Sequence, residues 1–270
     1  MEPFRGGQRP AAVITIRGLL TVLFLAATAR AQGDPVGSSS RKGEPARLVQ
    51  ARKNAEADIR ETFRRAQVSY PPAEIFLRAI KDEDVLELWA ASVRGRPMTR
   101  VKTFRICMRS GQPGPKREQG DGQVPEGFYR VDRFNPQSAF HLSLGIDYPN
   151  SSDRLRKTGP SPGGDIFIHG GCATIGCLPL GNGPIEQLYV IATDARANGQ
   201  RGIEVHLFPT RLEAARLAAL EADPSLPPEL RSFWRELGPG FQAFEATRRP
   251  PRVAIDPRSG AYQPRQSARQ

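Results

Sequence analysis

The segment GDIFIHGGCATIGCLPLG spans residues 164–181 and carries the strongest chemical signal in the sequence. Its residues 166–168 form a short apolar run typical of a buried strand, and His169 follows directly. Two glycines come next, and glycine allows tight turns and close backbone approach. Cys177 lies eight residues after His169 and again follows a glycine. The chain can therefore fold back between the two residues and bring a thiol and an imidazole together.

A thiol beside an imidazole is the arrangement of a nucleophilic cysteine enzyme. The thiolate is the attacking species, and it forms more readily next to an imidazole. A backbone carbonyl can hold the other ring nitrogen of His169 and determine its tautomer. Amides around Gly176 and Cys177 can point at a developing oxyanion. The pattern predicts Cys177 as nucleophile and His169 as base.

Three other interpretations remain open from spacing alone. His169 and Cys177 can be ordinary core residues. Together with Cys172 they can supply three ligands to a metal, although zinc sites usually have shorter Cys-x-x-Cys spacings. Cys172 and Cys177 can also form a disulfide that masks the nucleophile, and Cys172 is a competing nucleophile. Cys107, in a predicted strand, is expected to be a buried thiol. Three cysteines in an oxidising compartment leave at least one thiol free.

Residues 1–31 have the pattern of a secretory signal peptide. Three arginines precede or flank an apolar run, GLLTVLFLAA at residues 18–27, that is too short to span a bilayer. Ala29-Arg30-Ala31 is a small-x-small cleavage site, and no cysteine follows it to carry a lipid. An uncleaved anchor is the alternative. The pattern predicts a periplasmic or secreted, envelope-associated mature protein with no stable membrane span.

The formal net charge of +11 is concentrated at the two ends of the chain. Residues 1–31 carry four Arg and one Glu, and residues 246–270 carry six Arg and one Asp. The remainder is weakly basic, which argues against nucleic acid as a partner, because nucleic-acid-binding domains carry basic residues on the fold itself. The basic C-terminal segment suits loose attraction to an anionic envelope surface.

The sequence divides into five predicted segments. They are a signal peptide (1–31), a Gly/Ser/Pro-rich linker (32–45), an N-terminal helix (46–69), a catalytic domain (70–245) and a disordered basic Pro/Arg-rich tail (246–270). The helix prediction rests on apolar residues at helical spacing: Leu48, Ala51, Ala55, Ile59 and Phe63. Strands are expected at 75–80, 85–92, 101–108, 128–133, 140–146, 166–168 and 203–208, and helices at 182–198 and within 210–245. The fold class is therefore β-rich α+β with flanking helices.

The run IHGGCATIGC resembles the catalytic motif of the L,D-transpeptidases of the YkuD type, in the branch where His-Gly precedes Ser/Thr-x-Gly-Cys. Further blocks similar to that branch follow in order along residues 70–245. They are SGQPGPK and GD with PEGFY within 110–129, NPQS at 135–138, HLSL at 141–144, YPN at 148–150 and VHLFP at 205–209. The resemblance implies an L,D-transpeptidase-like β-sandwich or barrel domain that uses no metal and no organic cofactor.

The resemblance also implies roles for the motif residues. Cys177 would attack the carbonyl of an L-centre to D-Ala bond in a peptidoglycan stem peptide, and His169 would act as general base and then acid. The carbonyl of Gly170 would orient the imidazole. Amides from Thr174 to Cys177, including that of Gly176, would form the oxyanion hole.

Substrate contacts are expected from five further positions. Thr174 and Ile175 belong to the motif, and Ile175 stands where most of the family has a second histidine, which removes a polar group from the pocket. Tyr129, Tyr148 and Asn150 are candidates to border the substrate groove, although each could equally serve packing.

The expected function is that of a secreted cysteine acyltransferase. It would form peptidoglycan cross-links or protein–wall linkages through an acyl-enzyme, with a wall-attached lipoprotein as a further candidate partner. The same Cys–His pair with water as acceptor would make an amidase that releases a protein or peptide from the wall. A non-catalytic wall-binding domain is the third interpretation, and the joint presence of His169, Gly176 and Cys177 argues against it.

Overall fold

Two apolar runs on either side of residues 81–84 pair as an antiparallel hairpin, in which Ile80 lies opposite Val85. The structure, a computed structural model, describes residues 43–265. Its strands are β1 (Glu74–Ile80), β2 (Val85–Ala91), β3 (Thr99–Arg105), β4 (Gly127–Asn135), β5 (Ser143–Ile146), β6 (Phe167–His169), β7 (Leu178–Pro179), β8 (Glu204–Phe208), β9 (Arg252–Ile255) and β10 (Tyr262–Arg265). Its helices are α1 (Ala46–Arg65), α2 (Ser151–Leu155), α3 (Asn182–Ala197), α4 (Ala214–Ala222) and α5 (Pro228–Thr247).

Eight of the strands form one mixed sheet in the order β3-β2-β1-β8-β4-β5-β6-β7. The pairs β1–β8 and β6–β7 are parallel, and the other neighbours are antiparallel. β1 and β2 are buried along nearly their whole length, as expected for strands covered on both faces. The predicted β-rich α+β fold with flanking helices is confirmed.

The helices cover the sheet from two sides. The predicted apolar stripe of α1 is buried and packs in one core with α3 and the sheet. An ion pair reinforces that contact, since Arg52 of α1 lies 2.6 Å from Asp194 of α3. α4 and α5 supply Leu217, Trp234 and Phe241 to a second apolar cluster. Within residues 43–265, no helix has the length and apolar character needed to cross a membrane.

The C-terminal segment departs from the prediction of a disordered tail. β9 and β10 pair as an antiparallel hairpin, and Tyr262 is buried against Phe128 and Phe233. Asn150 donates a hydrogen bond of 2.9 Å to the Tyr262 hydroxyl. The prediction of disorder over residues 246–270 is therefore wrong as far as residue 265, because one buried aromatic side chain, Tyr262, provides the burial that the Pro/Arg-rich composition does not indicate.

Other boundaries differ by a few residues. α1 ends at Arg65, β3 ends before Cys107, and β5 begins only at Ser143 because His141 has φ +71°, outside the strand region. The predicted signal peptide and residues 32–42 of the predicted linker lie outside the described residues.

Candidate active site

His169 ends strand β6, and Cys177 comes directly before the neighbouring strand β7. The two strands run in parallel, with Ile168 opposite Leu178 and His169 opposite Pro179. Cys177 immediately precedes β7, and the Phe167 amide donates to its Sγ at 3.4 Å. Residues eight apart in the chain therefore lie on neighbouring strands, as the motif predicts.

The imidazole of His169 is held in one tautomer. Its Nδ1 lies 2.6 Å from the carbonyl oxygen of Gly170. A carbonyl oxygen only accepts, so Nδ1 carries the proton and Nε2 keeps a lone pair. The side chain is buried, and the ring of Phe140 packs over it at 4.7 Å. Burial lowers the pKa of His169, opposed by the Gly170 hydrogen bond, so the ring is a neutral base at pH 7.

The Gly170-Gly171 turn fits closely against its neighbours. A Cβ on Gly170 would lie 2.6 Å from the carbonyl oxygen of Phe140 and 2.8 Å from Oδ1 of Asn182. The same Asn182 oxygen accepts the Gly171 amide at 2.9 Å. Gly181 is the N-cap residue of α3, and the side chain of Asn182, the first residue of that helix, holds the turn. Only the folded chain reveals this role, since Asn182 lies eleven residues after Gly171.

A hydroxyl organises the turn that leads into Cys177. Thr174 Oγ1 accepts the amides of Cys177 at 2.8 Å and Gly176 at 3.2 Å, and donates to the Cys177 carbonyl at 2.9 Å. Gly176 has φ +135°, and a Cβ there would lie 2.9 Å from the Gln123 carbonyl oxygen. The two amides predicted for an oxyanion hole thus bind the Thr174 hydroxyl here, so an oxyanion would have to replace that hydroxyl.

The sulfur of Cys177 is free and partly buried. It donates to the Asp165 carbonyl at 3.6 Å and accepts the Phe167 amide. Burial raises its pKa, and the amide of Phe167 opposes that shift. Within residues 43–265 the sulfur has no hydrogen bond to His169, so the resting pair is a neutral thiol and a neutral imidazole. Proton transfer between them requires rotation of the thiol.

The other two cysteines are bonded to each other. Cys107 and Cys172 form a disulfide with a Cα–Cα distance of 5.7 Å. The expectation of a buried thiol at Cys107 is wrong, because the chain after β3 passes beside the glycine turn. A Cys172–Cys177 disulfide is also ruled out, and Cys172 can serve neither as nucleophile nor as metal ligand. The same bond ties the turn before Cys177 to the segment after β3.

A cavity of about 260 Å³ opens beside Cys177. Residues 108–113 line it, together with Leu178 and Pro209. Arg109 lines it and makes an ion pair of 2.7 Å with Asp84. The nucleophile candidate therefore faces a small recess rather than open surface.

A family model for the L,D-transpeptidase catalytic domain, YkuD, matches residues 81–201. The chain is also 32% identical over 183 residues to YafK of Escherichia coli (strain K12), a protein with a provisional assignment as an L,D-transpeptidase. That match covers 67% of this chain and 70% of YafK, and YafK of Escherichia coli O157:H7 matches equally well. The chain belongs to the L,D-transpeptidase family.

Two solved structures give looser similarity. A variant of the helical cell shape determining protein Pgp2 from Campylobacter jejuni has a TM-score of 0.40 and 17% identity, covering 72% of this chain and 64% of that chain. Bd1075 of Bdellovibrio bacteriovorus has a TM-score of 0.38 and 15% identity, covering 66% and 59%. The chain spans less than two thirds of both, and the family assignment rests on the sequence matches.

Three residues predicted to border the substrate groove of this L,D-transpeptidase family member lie elsewhere. Tyr129 is buried and its hydroxyl bonds Asp153, and Asn150 caps α2. The Tyr148 hydroxyl donates to the Pro162 carbonyl at 2.9 Å. None of the three lines the cavity beside Cys177. Their side chains serve packing and capping, and Tyr129 and Asn150 line a different recess, next to the C-terminal hairpin, so a substrate contact by these residues stays a prediction.

Ile175 and Thr174 differ in exposure. The Ile175 side chain is 86% exposed, at the motif position where the resemblance places a second histidine. Thr174 is half-buried and committed to the turn. Ile175 is therefore open to solvent beside Cys177 and its substrate contact stays a prediction, whereas Thr174 shapes the backbone around Cys177.

Proposed function

We propose that this protein is a secreted cysteine acyltransferase that acts on peptidoglycan stem peptides, with Cys177 as nucleophile and His169 as general base. The observation that carries the proposal is a free thiol at a 260 Å³ cavity, one strand away from a neutral imidazole whose tautomer is set by Gly170. Membership of the L,D-transpeptidase family supports the choice of wall peptides as substrate.

The first half-reaction forms a thioester. The sulfur of Cys177 attacks the carbonyl carbon of the scissile amide while its proton passes to Nε2 of His169. The oxyanion takes hydrogen bonds from the amides of Gly176 and Cys177, which the Thr174 hydroxyl releases. Collapse of the tetrahedral intermediate breaks the C–N bond, and the leaving amine, D-Ala, takes the proton from His169.

The second half-reaction transfers the acyl group to an acceptor amine. The amine attacks the thioester, gives its proton to His169, and the proton returns to the sulfur as the C–S bond breaks. A wall peptide amine would form a cross-link, and an amine of a wall-attached lipoprotein would form a protein–wall linkage. With water as acceptor, the same steps would make the protein an amidase.

The proposed location is the periplasm or another extracytoplasmic part of the envelope. The predicted signal peptide at residues 1–31 supports it. The disulfide between Cys107 and Cys172 supports it independently, because disulfides persist mainly in oxidising compartments.

Acyl-enzyme formation tests the proposal. The mature protein is incubated with a stem tetrapeptide, and its intact mass is measured. An adduct is expected for the parent protein and for Cys172→Ala, and none for Cys177→Ala. The assignment is overturned if Cys172→Ala loses the adduct and Cys177→Ala keeps it.

Product analysis separates the three interpretations. Incubation with wall fragments should yield cross-linked or protein-linked peptides for an acyltransferase, and released peptide or protein for an amidase. A parent protein that binds wall fragments but forms no adduct and no product would be a non-catalytic wall-binding domain.

A further inference from the structure

A second cavity lies at the opposite end of β1 and β8 from Cys177. It has a volume of about 640 Å³ and lies beneath the C-terminal hairpin. Glu74 and Glu204, at the starts of the two strands, line it, whereas Lys81 and Pro209, just past their ends, line the Cys177 cavity. Seven residues of β-strand span about 23 Å, so the two cavities are separate sites.

The carboxylates of the second cavity are already engaged. Glu204 pairs with Arg130 at 2.8 Å. Asp147 accepts the backbone amide of Arg130 at 2.7 Å, and Glu74 accepts the amide of Gly95 at 2.7 Å. Arg130 thus offsets the charge of Glu204, and Arg94, whose Nε lies 3.8 Å from Glu74, offsets that of Glu74, whereas Asp147 has an oxygen satisfied by a backbone amide.

Three of the cavity's arginines have no such partner. Arg96, Arg249 and Arg252 line the cavity, and within residues 43–265 none of them has a carboxylate within ion-pair distance. Two come from the hairpin segment and one from the loop after β2. Arg249 also reaches that loop, since its Nη2 lies 3.6 Å from the position of a Cβ on Gly95. The lining of this cavity thus contains arginines that no internal carboxylate pairs with.

We propose that this cavity is a second binding site, which takes the carboxylates of another stem peptide of the same peptidoglycan. Arginine binds carboxylates in a planar, two-pronged geometry. A stem peptide is a short chain with free carboxylates and suits a recess, whereas attraction to a bilayer uses an outward-facing basic surface. The inference rests on the proposed function for its ligand, and it adds a site that holds the polymer about 23 Å from the reacting bond.

Wall binding by an inactive protein tests the second site. Full-length mature Cys177→Ser is mixed with purified wall sacculi, and the bound fraction is measured by sedimentation at low salt. Adding Arg249→Gln and Arg252→Gln should weaken binding about tenfold, because two partly solvent-exposed guanidinium–carboxylate contacts are lost. Removing two exposed charges elsewhere, with Lys53→Gln and Arg216→Gln, should leave binding unchanged. Thermal unfolding of each variant shows whether it is folded.

Two further measurements identify the ligand. Amidation of the wall carboxylates should abolish the difference between parent and Arg variant. The proposal is overturned if Cys177→Ser and the same protein with Arg249→Gln and Arg252→Gln bind untreated wall equally. It is also overturned if Cys177→Ser binds phosphatidylglycerol vesicles and does not bind wall. Because binding is measured without the Cys177 thiol, a missing acyl-enzyme would count against the proposed function and leave this test valid.

Discussion

The cavities at the two ends of strands β1 and β8 differ in volume, in chemistry and in the part of the chain that forms them. One end holds a cavity of about 260 Å³ with a free thiol, and the other a cavity of about 640 Å³ with arginines. The residues of the first that carry the chemistry fall within the family match at 81–201, whereas Arg249 and Arg252 of the second lie beyond it. The reactive groups thus lie in the part of the chain that matches the family, whereas two of the unpaired arginines come from the C-terminal hairpin segment outside it.

His206 separates the two ends inside β8. It is fully buried among Phe76, Phe128 and Phe208, and its ring nitrogens have no hydrogen-bond partner within residues 43–265. Burial lowers its pKa to about 3, so it is neutral and acts as an aromatic core residue. We therefore expect substitutions around Cys177 to slow acylation and leave wall binding at the second cavity unchanged.

The largest effect is expected from His169→Gln. Glutamine has similar volume but cannot take the thiol proton, so acyl-enzyme formation should slow by about 10²–10⁴-fold. Sedimentation with wall sacculi should be unaffected, because the second cavity is not altered. Mass spectrometry of the adduct against time measures the rate. A loss smaller than tenfold would exclude His169 as the base.

Removal of the disulfide should have the next largest effect. Cys107→Ser with Cys172→Ser opens a link between residues 65 apart in sequence, which should lower the free energy of unfolding by about 2–4 kcal/mol. The turn before Cys177 also loses its covalent link to the segment after β3, so acylation should slow while wall binding stays the same. Urea denaturation measures the stability. An unchanged unfolding midpoint would show that hydrogen bonds from Asn182 and Thr174 suffice to hold the turn.

The pH dependence of acylation should reflect the burial of His169. A protonated imidazole cannot accept the thiol proton, so activity is lost as pH falls through the pKa of His169. Burial lowers that pKa below the ordinary value of 6.5, so the acid limb of the rate should lie below pH 6.5. Phe140→Ala uncovers the ring and should move the limb towards 6.5. A parent limb above pH 6.5 would contradict the environment described for this histidine.

The smallest effect is expected at the hairpin. Tyr262→Phe removes the hydroxyl that accepts from Asn150 at 2.9 Å, which should lower the free energy of unfolding by about 1 kcal/mol. Tyr189→Phe is the matched control, since that hydroxyl has no hydrogen-bond partner within residues 43–265, and it should be nearly neutral. Equal effects of the two substitutions would mean that the Asn150 contact does not stabilise the hairpin.

Prediction from sequence worked where short-range pattern is sufficient. The apolar stripe of α1 follows from a period of 3.6, and the hairpin of β1 and β2 follows from two short apolar runs on either side of a polar turn. The turn between β6 and β7 follows from a strand end, paired glycines and a short return. Sequence could not decide whether Tyr129 and Asn150 face a substrate or the core, because a polar aromatic or an amide in a motif looks the same in either environment.

Local pattern in the chain was enough to place His169 and Cys177 on adjoining segments, because both belong to one eight-residue return. Tertiary structure alone decided the Cys107–Cys172 bond, since three cysteines allow several pairings and only the approach of distant segments selects one. Tertiary structure also determined the conformation of the basic C-terminal segment. Composition averages over residues 246–270, whereas a single buried side chain, Tyr262, turns the segment back over the sheet and brings Arg249 and Arg252 to a cavity.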